Sequence, residues 1–110
     1  MKDKSLKINL KKESLGEQYD FKIFKVDSEW IKNNLDVTFG TGGHGLVHSY
    51  IPMDEIWVDP KVQKKESLIR HEIIEHLLMK EQDLNYKKAH KKTSEAMQKN
   101  SENKLIESLS

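Results

Sequence analysis

The segment between residues 64 and 81 constrains the fold most, because its apolar residues recur with helical periodicity over several turns. At 100° per residue, Ile69, Ile73, Ile74 and Leu77 fall on one broad side of the predicted helix. An apolar side of this width is stable only when other elements cover it. The spacing therefore predicts a main helix against which the rest of the chain packs.

Three polar side chains share another sector of the same helix. His71, Glu72 and Glu75 lie together there, and apolar neighbours flank them, namely Leu68, Leu78 and Met79. The charged face of an ordinary surface helix is flanked by more charge, so this pattern predicts that the three residues line a partly buried cleft. The plain alternative is an ordinary helix whose charges pair with nearby lysines.

The spacing of these residues indicates a metal site. His71 and Glu75 are four residues apart, so their side chains project from the same face and can hold one ion, with Glu72 beside them. The chain has no cysteine, so a metal must rely on His, Asp and Glu. Zinc is the first choice for such a set with an open water position, although redox metals also accept it.

A second predicted helix supplies a third ligand. It runs from Tyr86 to Gln98 after an Asn85 cap, and His90 falls in the middle of its apolar side. A short connection makes the two helices antiparallel neighbours, so His90 should face the main helix. We therefore predict zinc ligands at His71, Glu75 and His90, with Glu72 as the general base acting on zinc-bound water. The plain alternative for His90 is an interior histidine that is hydrogen-bonded to Glu75.

The chain before the main helix predicts a small antiparallel sheet. We expect strands at residues 21–26, 37–39, 46–51 and 55–58, the last two forming a hairpin, and a short helix at 29–35 after an Asp27-Ser28 cap. Residues 40–45 contain four glycines and read as a loop in which positive φ angles are permitted. The predicted fold class is α+β, with this sheet packed on the metal-bearing helix and the following antiparallel helix.

Composition bounds the number of domains. With 110 residues, 35% of them hydrophobic and 34% charged, the chain fits one small domain. We place that domain at residues 19–99, after a mobile N-terminal segment at 1–18 and before a polar C-terminal tail at 100–110 that frays.

The net charge and the hydropathy of the chain limit the kinds of partner that we expect it to bind. The net charge of +1 gives no global argument for nucleic acid, and the lysines of the last predicted helix have no interleaved aromatic side chains, which argues against it. No apolar run approaches the roughly 20 residues of a membrane span, and the N-terminus has no apolar signal-peptide core. We expect a soluble, cytoplasmic protein without a membrane partner.

The remaining histidines have two interpretations each. His44 and His48 precede the strand at 55–58 and could reach the cleft, where one would stabilise an oxyanion or orient a substrate. Otherwise His44 belongs to a turn and His48 is an alternating strand residue. His76 lies about 140° around the helix from His71, so we expect it to pack or to face solvent.

Four segments carry a resemblance to known proteins. They are residues 39–44, 51–59, 71–75 and 86–90, which resemble a family of small, mostly uncharacterised proteins of prokaryotes and their viruses over about residues 19–95. Members show a Gly-Gly-His turn, an Ile-Pro…Glu-Ile-Trp-Ile-Asp strand, a His-Glu-x-x-Glu helix and a final Ala-His helix. More loosely, the chain is similar to zincin-type metallopeptidases, in which an edge strand lies beside the active-site helix.

The resemblance implies a zincin-like domain and a set of site residues. It carries over His71, Glu72, Glu75 and His90 and leaves His76 out of the ligand set. Glu75 stands where the usual peptidase motif His-Glu-x-x-His has its second histidine.

Two functions from different classes follow. The first is a zinc-dependent hydrolase, and specifically a metallopeptidase, whose extended peptide or protein substrate adds as a strand at Glu55–Val58. The second is a non-enzymatic interaction module, phage-related or regulatory, that has no metal or keeps one as a structural staple closed by His44 or His76.

Overall fold

The structure of the chain is a computed structural model that describes residues 11–61 and 65–109. Its described part is α+β, as the sequence predicts, with four strands and four helices. In chain order they are β1 (Glu13–Gln18), β2 (Phe21–Lys25), α1 (Ser28–Asn34), β3 (Gly42–His44), β4 (Glu55–Val58), α2 (Lys65–Glu81), α3 (Tyr86–Gln98) and α4 (Glu102–Leu109).

The four strands form one mixed sheet in the order β1-β2-β4-β3. β1 pairs antiparallel with β2, and β3 pairs antiparallel with β4. β2 and β4 are parallel, so the prediction of an antiparallel sheet is wrong at this pair. The reason is the long connection through α1, which carries the chain back across the sheet before β4 begins.

Successive side chains of the central strands point to opposite faces of the sheet. Ile23 and Ile56 belong to the larger core, which also contains the apolar side chains of α2. Trp57, one residue along β4, belongs to a second core on the other face, together with Val26, Ile31, Phe39 and Ile51. The sheet is therefore covered on both faces, and α2 lies on the face with the larger core.

The predicted helices agree with the structure because their ends carry clear caps. The Asp27 side chain accepts hydrogen bonds from Glu29 N and Trp30 N at the start of α1, and Asn85 accepts from Lys88 N at the start of α3. α2 is described from Lys65 to Glu81, while the predicted first residue, at position 64, lies outside the described residues.

Two of the predicted strands are wrong. Residues 37–39 and 46–51 form turns and irregular chain, although their apolar residues suggested strands. Hydrogen bonds to the side chain of Asp36 explain why neither segment is a strand. Asp36 accepts a hydrogen bond from Thr38 N, which closes a turn, and its other oxygen binds the side chains of His48 and Tyr50. These bonds fix residues 46–51 as a loop folded over the second core.

The predicted glycine loop contains β3 instead. Gly42–His44 pair with β4, so the partner of β4 in the antiparallel pair is this short strand and not residues 46–51. Positive φ is observed at Gly16 and at none of the four glycines of residues 40–45. Two of these glycines permit close approach: a Cβ on Gly43 would stand 2.6 Å from His48 Cδ2, and one on Gly45 would stand 2.7 Å from Ile51 O.

The predicted limits of the domain are also too narrow. Glu13–Gln18, assigned to a mobile segment, form β1 and pair with β2. Glu102–Leu109, assigned to a fraying tail, form α4, and its Ile106 is fully buried in the larger core. β1 has one apolar residue, Leu15, and α4 has three, Leu105, Ile106 and Leu109, and all four pack in or against the larger core. Residues 1–10 and 110 lie outside the described part of the chain.

A helix that crosses a bilayer needs about 20 mostly apolar residues. Within residues 11–61 and 65–109, no helix has the length and apolar content of a membrane span.

Candidate metal centre

Glu75 is the centre of a cluster built from α2, α3 and β3. Its side chain, in the middle of α2, is only 2% exposed. One carboxylate oxygen, Oε2, lies 2.7 Å from Nε2 of His71 and 2.5 Å from Nδ1 of His90. These two ring nitrogens are 3.3 Å from each other. The structure therefore brings together the three residues that the sequence indicated as ligands.

The donor atoms of this group are of the kinds that bind a divalent ion: two imidazole nitrogens and one carboxylate oxygen, all within 4.8 Å of one another. In a tetrahedral zinc site with bonds of 2.0–2.1 Å, neighbouring ligand atoms stand roughly 3.3 Å apart. The two histidine nitrogens are at that separation, whereas Oε2 of Glu75 is at hydrogen-bond distance from both, so the carboxylate would have to move away from the rings to share an ion with them. The side chain of His90 is 49% exposed, which leaves the outer side of the group open to the cleft. Two nitrogens and one oxygen with an open position form a donor set that zinc accepts.

The pKa values of Glu72 and Glu75 are shifted in opposite directions. Burial acts to raise the pKa of Glu75, but His44, His71 and His90 around its carboxylate outweigh burial and lower the pKa to about 2. Burial and the neighbouring Glu75 charge raise the pKa of Glu72 well above its ordinary value. Glu75 is thus ionised, as a ligand must be, whereas Glu72 is the group with an increased affinity for a proton.

Glu72 is held close to β3. It is buried, at 7% exposed, and lines the same cleft as His71 and Glu75. A Cβ on Gly42 would stand 3.1 Å from Cγ of Glu72 and 3.1 Å from a methyl carbon of Leu68. Gly42 therefore lets the backbone of β3 approach the Glu72 side chain. The sequence marked this glycine only as part of a loop.

The cleft has a volume of about 450 Å³. The backbone at Gly40, Thr41 and Gly42 forms one wall, and the proposed ligands form another. Tyr86, which the sequence had not indicated, contributes from the first turn of α3, with its ring 5.5 Å from that of His90. The cleft is open at the side of the exposed residues His90 and Tyr86.

His48 lies in the cleft, as predicted. Asp36 holds its ring: Nδ1 lies 3.1 Å from Oδ2 of Asp36, and the Tyr50 hydroxyl donates to the same oxygen at 3.1 Å. Burial lowers the pKa of His48, although Asp36 opposes the effect. Sequence reasoning missed Asp36. The order Asp-x-Thr, which favours a turn closed by the aspartate, was the signal that could have found it.

His44 is not where the sequence placed it. It is fully buried and does not line the cleft, so it cannot contact a substrate there. Pairing of β3 with β4 directs its ring toward α2, where Nε2 lies 3.5 Å from Oε1 of Glu75. His44 thus approaches the oxygen of Glu75 that His71 and His90 do not use.

His76 faces another part of the molecule. Its ring packs edge-on against Phe21 at 4.8 Å and against His44 at 5.2 Å. Burial lowers its pKa to about 4, with a smaller effect from His44. It is not grouped with His71, Glu75 and His90, in agreement with its exclusion from the predicted ligand set.

Comparison of the chain with protein-family models, with curated proteins and with solved structures found no match. Function is therefore inferred from the geometry of the cleft alone.

Proposed function

We propose that the chain is a zinc-dependent hydrolase, and specifically a metallopeptidase. The observation that carries the proposal is the convergence of His71, Glu75 and His90, with the carboxylate of Glu72 beside them in an open cleft. A hydrolytic zinc site needs three protein ligands, one open position and a nearby unligated base. The proposal assigns the ligand role to His71, Glu75 and His90 and the role of base to Glu72.

Each residue has a separate task. Zinc held by His71, Glu75 and His90 would lower the pKa of water from ~15.7 to about 7 and polarise a substrate carbonyl. Glu72 takes the proton from the attacking water and delivers it to the leaving amine. Burial and the neighbouring Glu75 charge raise the pKa of Glu72, which strengthens its affinity for a proton relative to an exposed glutamate.

His48 is placed to orient a substrate. Its ring is fixed by Asp36 and borders the cleft. The ionised Asp36 can only accept, so Nδ1 of His48 donates to it, and the neutral ring presents Nε2 as an acceptor, which suits a substrate N–H and not an oxyanion. This role belonged to His44 or His48 in the sequence prediction, and burial of His44 favours His48.

An extended peptide fits the edge of the sheet at β3. The predicted docking strand, Glu55–Val58, is an inner strand paired with both β2 and β3, so strand addition there is impossible. β3 is the terminal strand of the sheet, and Gly42 and Thr41 border the cleft. We therefore place peptide binding along β3, where main-chain hydrogen bonds would give recognition with little side-chain specificity.

The substitution Glu72→Gln tests the base. We expect it to retain zinc at His71, Glu75 and His90 and to abolish hydrolysis, because the amide fills the same space but accepts no proton. The zinc-loaded protein is incubated with a mixture of peptides, and the new termini are identified by mass spectrometry. Glu81→Gln, an exposed position on the same helix, is the matched control and should cleave like the unmodified chain.

Two outcomes would contradict the proposal. Equal cleavage by Glu72→Gln and the unmodified chain would show that Glu72 is not the base. Absence of cleavage by the zinc-loaded, unmodified chain over the whole peptide mixture would remove the peptidase activity.

A second function is favoured by the position of Glu75. Its carboxylate contacts histidines from β3, α2 and α3, so an ion here would also tie these elements together, as a structural zinc does in a non-enzymatic, phage-related or regulatory interaction module. Cobalt substitution distinguishes the two. A site with an exchangeable water supports the hydrolase, and a site closed by a fourth protein ligand supports the staple.

A further inference from the structure

His44 is a buried side chain whose ring nitrogens make no hydrogen bond. It is 0% exposed, and Nδ1 has no polar partner among the described residues, while Nε2 has only a long contact with Glu75. Buried polar atoms are nearly always hydrogen-bonded, because an unpaired one loses its interaction with water. Nε2 points to Oε1 of Glu75 but remains 3.5 Å away. A group bound between them would satisfy this nitrogen.

Glu72 offers a second possible ligand at the same place. No hydrogen bond to its carboxylate is found in residues 11–61 and 65–109, and the side chain, which is 7% exposed, borders the cleft. Two adjacent buried carboxylates are unfavourable unless a positive charge compensates them. The donor atoms of His44, Glu72 and Glu75 all lie within 4.8 Å of one another.

The two oxygens of Glu75 face different groups. Oε2 faces His71 and His90, and Oε1 faces His44. A carboxylate in this position can bind one ion through each oxygen. Because the backbone of Gly42 lies against Glu72, β3 brings His44 near enough to α2 to complete the second group.

We propose that His44, Glu72 and Glu75 form a second divalent-cation site, buried between β3 and α2, which shares the Glu75 carboxylate with the first site. One imidazole nitrogen and carboxylate oxygens suit zinc, manganese or ferrous iron. The second site is the weaker of the two, because it is enclosed and because its ion is repelled by the ion already bound nearby.

Occupation of the second site has a consequence for hydrolysis. An ion there binds the carboxylate of Glu72, which is then no longer free to accept a proton, so excess metal inhibits the enzyme. This consequence rests on the proposed function, whereas the site itself does not.

The test is the number of zinc ions bound per chain, measured by equilibrium dialysis followed by elemental analysis. We expect two ions for the unmodified chain, and one for Glu72→Gln because the amide is a poor ligand. His90→Ala should also lose one, from the first site. Glu81→Gln and Lys91→Ala, both exposed, are the controls and should bind two.

Cadmium-113 NMR gives a second measurement that does not rely on counting. The unmodified chain should show two resonances, and the signals lost in Glu72→Gln and in His90→Ala should be different ones. His44→Gln should lose the same signal as Glu72→Gln. Because His44 is buried, circular dichroism must first show that this variant folds, and Glu72→Gln alone decides the question if it does not.

The outcomes separate the two proposals. One ion that is lost in His90→Ala and kept in Glu72→Gln would overturn the second site and leave the first intact. Two ions that both persist in Glu72→Gln would place the second ion elsewhere on the chain, which also overturns the site. No bound ion in the unmodified chain would overturn both sites.

Discussion

At the scale of single residues, Glu75 determines what the cluster can do. A glutamate has two oxygens, and here each faces a different imidazole group, so the same residue can serve as a ligand and as a link to β3. A neutral histidine at this position would carry no negative charge and would not have two closely spaced oxygens. The departure from the His-Glu-x-x-His pattern thus has a structural counterpart in the burial of His44 next to the second oxygen.

Asp36 fixes the ring of His48, which borders the cleft. Hydrogen bonds from the side chain and backbone of Thr38 lower the pKa of Asp36 to about 2, and Tyr50 and His48 add smaller effects. A carboxyl group with a depressed pKa contributes stability above its unfolded pKa of about 3.9, and this contribution is lost as the pH falls through the folded pKa.

The substitution Asp36→Asn tests this contribution. We expect a loss of about 1–2 kcal/mol at pH 7, after discounting for a side chain that is 21% exposed, and a difference from the unmodified chain that narrows between about pH 4 and about pH 2. Urea denaturation at several pH values measures it. Asp54→Asn, at an exposed position, is the control. A deficit that stays constant down to pH 2 would contradict the assigned role of the charge.

At the scale of elements, local signals predicted some parts of the structure and non-local pairing determined the others. α1, α2 and α3 were predictable because apolar periodicity, and the Asp27 and Asn85 caps of α1 and α3, lie within each segment, whereas α4 was missed. β3 was missed because Gly42–His44 has no side-chain alternation, and it is a strand only through its pairing with β4. The parallel arrangement of β2 and β4 depends in the same way on contacts between distant segments.

The residues of the candidate site also fall into two groups: those that local spacing predicts and those that only contacts between distant segments bring together. His71 and Glu75 follow from a spacing of four residues within one helix, and His90 from the antiparallel arrangement of two consecutive helices. The approach of His44 to Glu75 requires the position of β3, and the hold of Asp36 on His48 requires the loop between β3 and β4. Neither can be obtained from the spacing of residues.

The last helix, α4, gives a prediction at this scale. Ile106 is fully buried against the larger core, so Ile106→Ala should cost about 2–5 kcal/mol of stability, from lost burial and the cavity that remains. Urea denaturation monitored by circular dichroism measures the cost. Glu107→Ala, exposed on the same helix, should change stability little. A cost below about 0.5 kcal/mol for Ile106→Ala would indicate a loosely docked tail.

At the scale of the whole molecule, the candidate metal centre lies where the sheet edge and two helices meet. β3 contributes His44 and the cleft wall, α2 contributes His71, Glu72 and Glu75, and α3 contributes His90. A domain of this size buries a modest core, so an ion that joins three elements would add to stability whether or not the chain is an enzyme. The hydrolase and the structural-metal alternative therefore both require a bound ion, and this is the central claim.

Diffraction from zinc-loaded crystals at the zinc absorption edge tests that claim most directly. We predict an anomalous peak at roughly 2.0–2.2 Å from Nε2 of His71, Nδ1 of His90 and Oε2 of Glu75. A peak bound to other histidines, or no peak after zinc loading, would contradict it.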